Sequence, residues 1–493
     1  AFTLEQIRQF NHPLRALSDI GIPFEITHAA NSAALIKYPE SHYEAVRPGI
    51  ITYGIQPNNN VPKDSPFRPI ATWSTRIVLI RDGDVQGDRT IDASGLVVVP
   101  GFIDLHEHGQ AEESYALMVR DGVTSAFELE IGTADVDAWY ASREGGQIVN
   151  YGVSIGHVST RMAVLGDPST GLLPAGIGGF GSASEQQIDE MERRVRAGLD
   201  QGAVAVGFGS AYTPGAEMSE VARLFAVAAE YGAVSHIHMR GGLVGLDSTI
   251  TVAREARARL HIVHANSSAG QAIGPFLDMI KSAQDDGQDV TTEAYPYGAG
   301  MTEIQSSLFD DWESWPDERF ARHQLVSTGE RTTRETFAQA RADGGTVIIH
   351  GRSEQLTRAA IASPITMIAS DGFIDQGRGH PRTSGTYSKV LGRYVRDEGL
   401  LSLPDAIRRM TLGPALRLQT RVPAMALKGR ITMGADADIT IFDPETVIDR
   451  STYEDATIPA EGIPYVIIAG EVVVDGGEVT DARPGRAVRA RLR

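Results

Sequence analysis

The stretch GFIDLHEH, Gly101–His108, is a short apolar run that ends in two histidines one residue apart. Alternate side chains on a strand point the same way, so a buried strand ending here aims His106 and His108 at one point. An HxH pair alone is weak in a chain with 13 histidines; its weight comes from its place at the head of a series. Seven more apolar runs succeed it: Thr124–Glu130, Val153–Thr160, Ala203–Gly209, Ala233–Arg240, His261–Ser267, Val290–Tyr297 and Ile365–Asp371. Helical patterns lie between most of them, as in Ser184–Gln201, where Ile188, Met191, Val195 and Leu199 fall at helical spacing. Eight such β/α alternations predict an α/β chain built on a (β/α)8 TIM barrel, with a doubly wound open sheet as the competing reading of the same periodicity.

The barrel is expected over residues 101–424, with a lid insertion at about 298–363 between the last two strands. Short β runs at Ala437–Phe442, Tyr465–Ile468 and Glu471–Val474 predict a small β-sandwich from residues 76–100 and 425–493, formed mainly by the C-terminal segment. Leu96–Pro100 and Ile77–Arg81 are candidate strands from the other side of the barrel, and the arginine-rich tail from Arg483 reads as a solvated end.

Composition narrows the function. Lys and Arg total 45 against 63 Asp and Glu, a net charge of −18. Such a surface repels polyanions, so no nucleic acid or membrane partner is expected. A small-molecule substrate is, and a homo-oligomer is compatible. There is no cysteine, which excludes disulfides and thiolate metal sites. No apolar run is long enough to span a bilayer, and Ala1–Glu5 lacks the basic and apolar regions of a secretory leader, so a cytoplasmic protein is expected.

Any metal must therefore sit on His, Asp, Glu or a modified Lys, and no lysine stands at a strand end. His238 ends the fifth run, His264 the sixth and Asp371 the eighth. With His106 and His108 they make four imidazoles and a carboxylate at one barrel mouth, a donor set for one or two hydrolytic metal ions. Each alone reads equally well as a core histidine or a capping aspartate; five in register do not. Glu128 and Glu130 share a strand face, and one of them is expected to bridge two ions while the other orients a ligand histidine. Glu130, nearer the strand end, is favoured as the bridge. His236 and His261 suit core or supporting positions, and His157 is a lesser candidate. A divalent ion makes hydroxide available near neutrality and polarises a carbonyl, and Asp371 beside it can carry the proton to a leaving nitrogen.

GFIDLHEHG, HMRGG, IVHANSSAG, TTEAYPYGAG and IASDG resemble the amidohydrolase superfamily. The long stretch from IASDG through GTYSKVLGRYVRDEGLLSLPDAIRRMT, with GRITMGADADITIFDP and DARPGR, is similar to the N-acyl-D-amino-acid deacylase (D-aminoacylase) family, over about residues 85–493. The resemblance implies a zinc-dependent enzyme, with one or two Zn2+ ions, that hydrolyses the amide of N-acyl-D-amino acids. It implies metal ligation by His106, His108, His238 and His264, a catalytic Asp371, and a substrate carboxylate held by Arg382 and Tyr295. A guanidinium fork suits a carboxylate, and with the chain so negative its capture must be local. Three departures matter. Where the family's second strand usually carries a bridging cysteine, this chain has Glu130. Asn266 stands where the family often has a lysine and is itself expected to bind substrate. Met301 replaces a serine. A dipeptide, a blocked acid or a cyclic amide is the alternative substrate.

Residues 4–81 resemble a fragment of alanine racemase, with His28–Pro57 matching later strands of that barrel. The resemblance would set Ser32, Gly49 and Ile50 on a pyridoxal phosphate (PLP) phosphate and Arg47 at its ring nitrogen. The cofactor lysine and the tyrosine base have no counterpart and half a barrel cannot close, so no PLP chemistry is expected from a domain at 1–75. A bifunctional or chimeric protein carrying a non-functional racemase piece is the corresponding reading. Deletion of residues 1–70 is expected to leave hydrolase activity, measured on the soluble fraction; loss of soluble protein would make the segment structural.

Overall fold

The computed structural model describes residues 11, 72–74 and 90–492. The expectations on Ser32, Arg47, Gly49, Ile50 and Ile77–Arg81 lie outside the described residues. The chain divides into two units, residues 1–75 with 81–94 and residues 76–80 with 95–493. In the first, Thr72–Ser74 pairs antiparallel with Thr90–Asp92.

The second unit is built on eight parallel strands: β1 (Phe102–Asp104), β2 (Val123–Thr133), β3 (Asn150–Gly156), β4 (Val206–Gly209), β5 (Val234–His238), β6 (Arg259–Ile262), β7 (Val290–Ala294) and β8 (Thr366–Ile368). Their order in the sheet is their order in the chain. An open doubly wound sheet would reverse direction partway; this one does not. The strands are almost wholly buried, as parallel strands covered by helices must be. The helix Glu185–Asp200 begins where expected, because Ser184 accepts the Gln187 N–H and the Gln187 side chain returns the bond. Its Ile188, Met191, Val195 and Leu199 are buried.

Between β1 and β8 the barrel closes just beyond the strands. The Asp371 N–H donates to the His106 carbonyl at 2.6 Å, and the His108 and Gly109 N–H groups donate to the Gly372 carbonyl at 2.8 and 3.1 Å. The Asp104 carboxylate adds a third tie, accepting the N–H of His106 at 3.1 Å and that of Ser370 at 3.1 Å. The chain leaves the strand direction early at two of these ends: His264 and Asp371 have φ of 34° and 54°. They lie past β6 and β8 rather than inside them, in a left-handed conformation that is costly for residues with a Cβ.

The predicted sandwich is, among the described residues, one five-stranded antiparallel sheet. Val97–Pro100 lies at one edge beside Ile439–Phe442, followed by Tyr465–Ile468, Glu471–Asp475 and Glu478–Val479. The tail corrects the sequence reading. Gly485 and Ala487 bridge to Gln147 and Tyr151, and Val488 and Ala490 are buried, so the end of the chain packs along β3. The segment between β7 and β8 carries its own three-stranded sheet, Gly300–Glu303, Thr346–Ile349 and His323–Leu325, around Ile304, Phe309, Trp315, Phe320, Phe337 and Val347. No helix among the described residues is long and apolar enough to cross a membrane.

Gly207 on β4 shows how tightly β2 is held. A Cβ there would lie 2.3 Å from the Glu130 carbonyl oxygen and 2.7 Å from that of Leu129. Gly207→Ala is expected to cost about 1–3 kcal/mol in urea unfolding, the usual cost of overpacking a core, and to displace Glu130.

Candidate metal centre

His106 and His108 follow β1 at alternate positions, and both rings turn into the mouth. Each is clamped from behind by a carboxylate. The His106 Nδ1–H donates to Glu293 at 2.6 Å, and the His108 Nδ1–H donates to Glu128 at 2.5 Å. Those bonds leave both Nε2 atoms facing the centre, 3.1 Å apart. One oxygen of Glu130 lies 2.7 Å from His106 Nε2 and 3.1 Å from His108 Nε2. The other lies 2.7 Å from His238 Nδ1, and His264 Nε2 is 3.1 Å from that same nitrogen. The Asp371 carboxylate stands 3.5 and 3.4 Å from the Nε2 atoms of His106 and His108. The donors thus form two groups, His106–His108–Glu130–Asp371 and Glu130–His238–His264, each with its ligand atoms within 4.8 Å of one another. Glu130 belongs to both.

The electrostatics ask for cations. Burial works against protonation of His106 and His108, yet the carboxylates around them push both rings well above their ordinary range. Burial would likewise raise the Glu130 carboxyl, but His106 and His238 hold it well below the carboxylate range. Burial and the neighbouring His238 push His264 down to about 3, so it is a neutral ring with a lone pair to give. Ring nitrogens of paired imidazoles stand 3.1 Å apart, and a nitrogen–carboxylate set of this kind fits a divalent ion in each group.

The two acids of β2 separate in role by position. Glu128 does not reach the centre; its second oxygen accepts the N–H groups of Ile131 and Gly132 at 3.0 and 3.2 Å, which fixes the carboxylate that holds His108. Glu293 escapes the strand-end pattern, although a lone acid in the otherwise apolar and threonine-rich β7 is a signal. The charge on His106 and the hydrogen bond from His261 bring Glu293 down to about 2 despite its burial. His261 also bonds Thr291 at 2.7 Å, and His236 stacks on it in the barrel interior at 4.5 Å. His157 opens the helix His157–Leu165 and pairs with Glu220 at 2.7 Å, away from both groups of ligands.

A cavity of about 460 Å³ opens above the centre, with His108, Glu130, His238, His264 and Asp371 in its wall. Arg382 and Tyr295 line it too, and Met301, Leu308, Ile349 and Phe373 make part of it apolar. Arg382 lies 2.8 Å from Asp371 and, against the effect of burial, holds that carboxyl below the usual range. Asn266 is not on the wall. It is fully buried, and its amide donates to the Tyr295 carbonyl at 3.0 Å, so it supports the tyrosine rather than meeting the cavity. Overhead, the Glu303 carboxylate accepts the N–H groups of Leu172 and Leu173 at 2.7 and 3.2 Å, joining the loop after β3 to the insertion.

A parallel barrel that gathers imidazoles and carboxylates at the C-terminal ends of its strands, with a buried Asp–Arg pair beside them, defines a metal-dependent hydrolase. The sequence pattern of the amidohydrolase family matches residues 162–474, and the chain belongs to that family. It is 31% identical over 465 residues to the N-acyl-D-glutamate deacylase of Alcaligenes xylosoxydans xylosoxydans, covering 84% of this chain and 91% of that protein. It is 28% identical over 463 residues to a D-aminoacylase of the same organism, covering 84% and 92%. The structure of N-acyl-D-glutamate deacylase from Bordetella bronchiseptica, solved with zinc and a phosphonate inhibitor, matches with a TM-score of 0.70 at 25% identity, over 81% of this chain and 90% of that one. Residues 1–57 match the N-terminal domain of alanine racemase.

Glu128→Gln and Glu293→Gln are each expected to weaken metal binding about 10- to 100-fold, the usual effect of losing a ligand's supporting carboxylate. Metal analysis across a graded chelator series reads this, and Glu130→Gln is expected to loosen metal in both groups.

Proposed function

We propose that the protein hydrolyses the amide bond of N-acyl-D-amino acids, releasing a carboxylic acid and a D-amino acid, with zinc as its metal. The observation that carries this reading is Glu130 standing between two groups of imidazoles, with Asp371 and Arg382 on the same cavity wall. The deacylases among the relatives support it. His106, His108, Glu130, His238, His264 and Asp371 are the ligands assigned to one or two ions. A divalent ion held by them polarises a carbonyl and brings the pKa of bound water toward neutrality.

The chain's own groups do the rest. Asp371 is kept ionised by Arg382, so it is ready to take a proton from water. It can then give that proton to the departing nitrogen, which must leave as an amine. Arg382 offers a guanidinium to the substrate carboxylate. The cavity volume of about 460 Å³ suits a small acylated amino acid, and its apolar part receives the side chain and acyl chain. The insertion covers the mouth and limits water.

Asp371→Asn is expected to lower kcat by about 10²- to 10⁴-fold, the range for loss of a positioned proton carrier, with metal still held by the four histidines and Glu130. The assay is a panel of N-acetyl-D- and N-acetyl-L-amino acids on metal-loaded protein. Loaded wild-type protein that is inert to every D-amino-acid derivative would overturn the proposal.

A further inference from the structure

Arg382 and Tyr295 line the cavity beside the centre, and the insertion brings a second arginine to the same tyrosine. Arg352 lies just past the strand Thr346–Ile349, and its N–H is tied to the Gly298 carbonyl at 3.2 Å. Its Nη1 donates to the Tyr295 hydroxyl at 3.1 Å and to the Tyr297 carbonyl at 3.3 Å. Its Nη2 donates to the Ser267 hydroxyl at 2.9 Å. A guanidinium can only donate, so each hydroxyl oxygen acts as acceptor there and keeps its own hydrogen for another acceptor.

Both hydroxyl-bearing residues line the cavity, and so does Gly300. Gly300 leaves open the space where three groups converge. A Cβ at that position would stand 3.4 Å from the Tyr295 hydroxyl, 3.8 Å from Arg352 Nη2 and 3.9 Å from the Ser267 hydroxyl. The Arg382 guanidinium lies 4.6 Å from the centroid of the same tyrosine ring and that of Arg352 5.4 Å. Arg382 Nε is buried without a hydrogen-bond partner. The Tyr295 ring also lies 6.4 Å from that of His264, which keeps this donor set within one small molecule's reach of the metal centre.

We propose that Arg352 is a positioning residue for the substrate carboxylate. It turns the hydroxyl hydrogens of Tyr295 and Ser267 into the open space by Gly300 and adds positive charge behind them, beside that of Arg382. The proposal rests on the N-acyl-D-amino-acid reading and assigns the carboxylate end of that substrate.

The test compares an N-acetyl-D-amino acid with its primary carboxamide, which lacks the negative charge. In Arg352→Gln, which keeps a donor and much of the bulk, kcat/KM for the acid relative to the carboxamide is expected to fall about 10- to 100-fold, chiefly through KM, as for loss of a charged hydrogen-bonding group. Arg352→Lys should restore part of the ratio, and in a Tyr295→Phe background the effect of Arg352→Gln should shrink. Metal content and near-ultraviolet circular dichroism check the fold of each variant. An unchanged acid-to-carboxamide ratio in folded Arg352→Gln and Arg352→Lys overturns this inference and leaves the deacylase reading standing. A wild-type protein inert to every N-acyl-D-amino acid overturns both.

Discussion

The backbone bonds between the ends of β1 and β8 are the constraint on which the rest of the molecule hangs. A barrel needs its first and last strands joined, and here the join is made by His106, His108, Asp371 and Gly372. Two of the proposed ligand histidines and the proposed proton carrier are thus the residues that close the barrel. The donor atoms cannot spread without opening the seam, and the seam cannot open without dispersing the donors. The Asp104 carboxylate, which holds both sides at once, makes the arrangement stiffer still. Precise placement of this kind is what a hydrolytic centre requires, since small errors in geometry are expensive in rate.

The charge inside the mouth is a consequence of that closure. Asp104, Glu107, Glu128, Glu130, Glu293 and Asp371 are all buried around four imidazoles and one guanidinium. Buried carboxylates are tolerated only when paired, neutralised or bound to metal. Glu128 and Glu293 are satisfied by His108 and His106, Asp371 by Arg382, and Glu130 by three rings. Glu107 has no hydrogen-bond partner for either oxygen, and burial together with nearby Glu128 pushes its carboxyl well above the ordinary range. Of these acids, Glu130 and Asp371 face the centre among the imidazoles, a donor set that suits divalent cations.

Much of this was legible in the sequence because strand periodicity is simple. HxH after an apolar run, and acids or histidines at the ends of later runs, were enough to place His106, His108, His238, His264, Glu130 and Asp371 together. Other features escaped because they depend on tertiary paths. The left-handed turns at His264 and Asp371 ended two strands early without moving the side chains from the mouth. Glu293 acts through a neighbour's far nitrogen, a relation that no spacing encodes. Asn266 sits next to a wall residue in sequence, yet the short helix Ala265–Ser268 turns its amide beneath the tyrosine. Arg352 comes from the insertion, far along the chain from the hydroxyls it touches. The tail looked solvated by composition, whereas its backbone pairing and the buried Val488 and Ala490 tie it down.

The insertion has a core of its own, closed around Phe309, Trp315, Phe320 and Phe337, and meets the loop after β3 through Glu303. Chemistry and selectivity are therefore kept in separate compartments of the polypeptide: the barrel holds the reacting groups, and a self-packed module furnishes much of the ceiling. Such a ceiling works as an exchangeable cartridge. Its cavity-facing residues can drift, or the whole module can be replaced, without repacking the strands that carry the proposed ligands. That division gives one catalytic chassis room to diversify among acylated amino acids with different side chains.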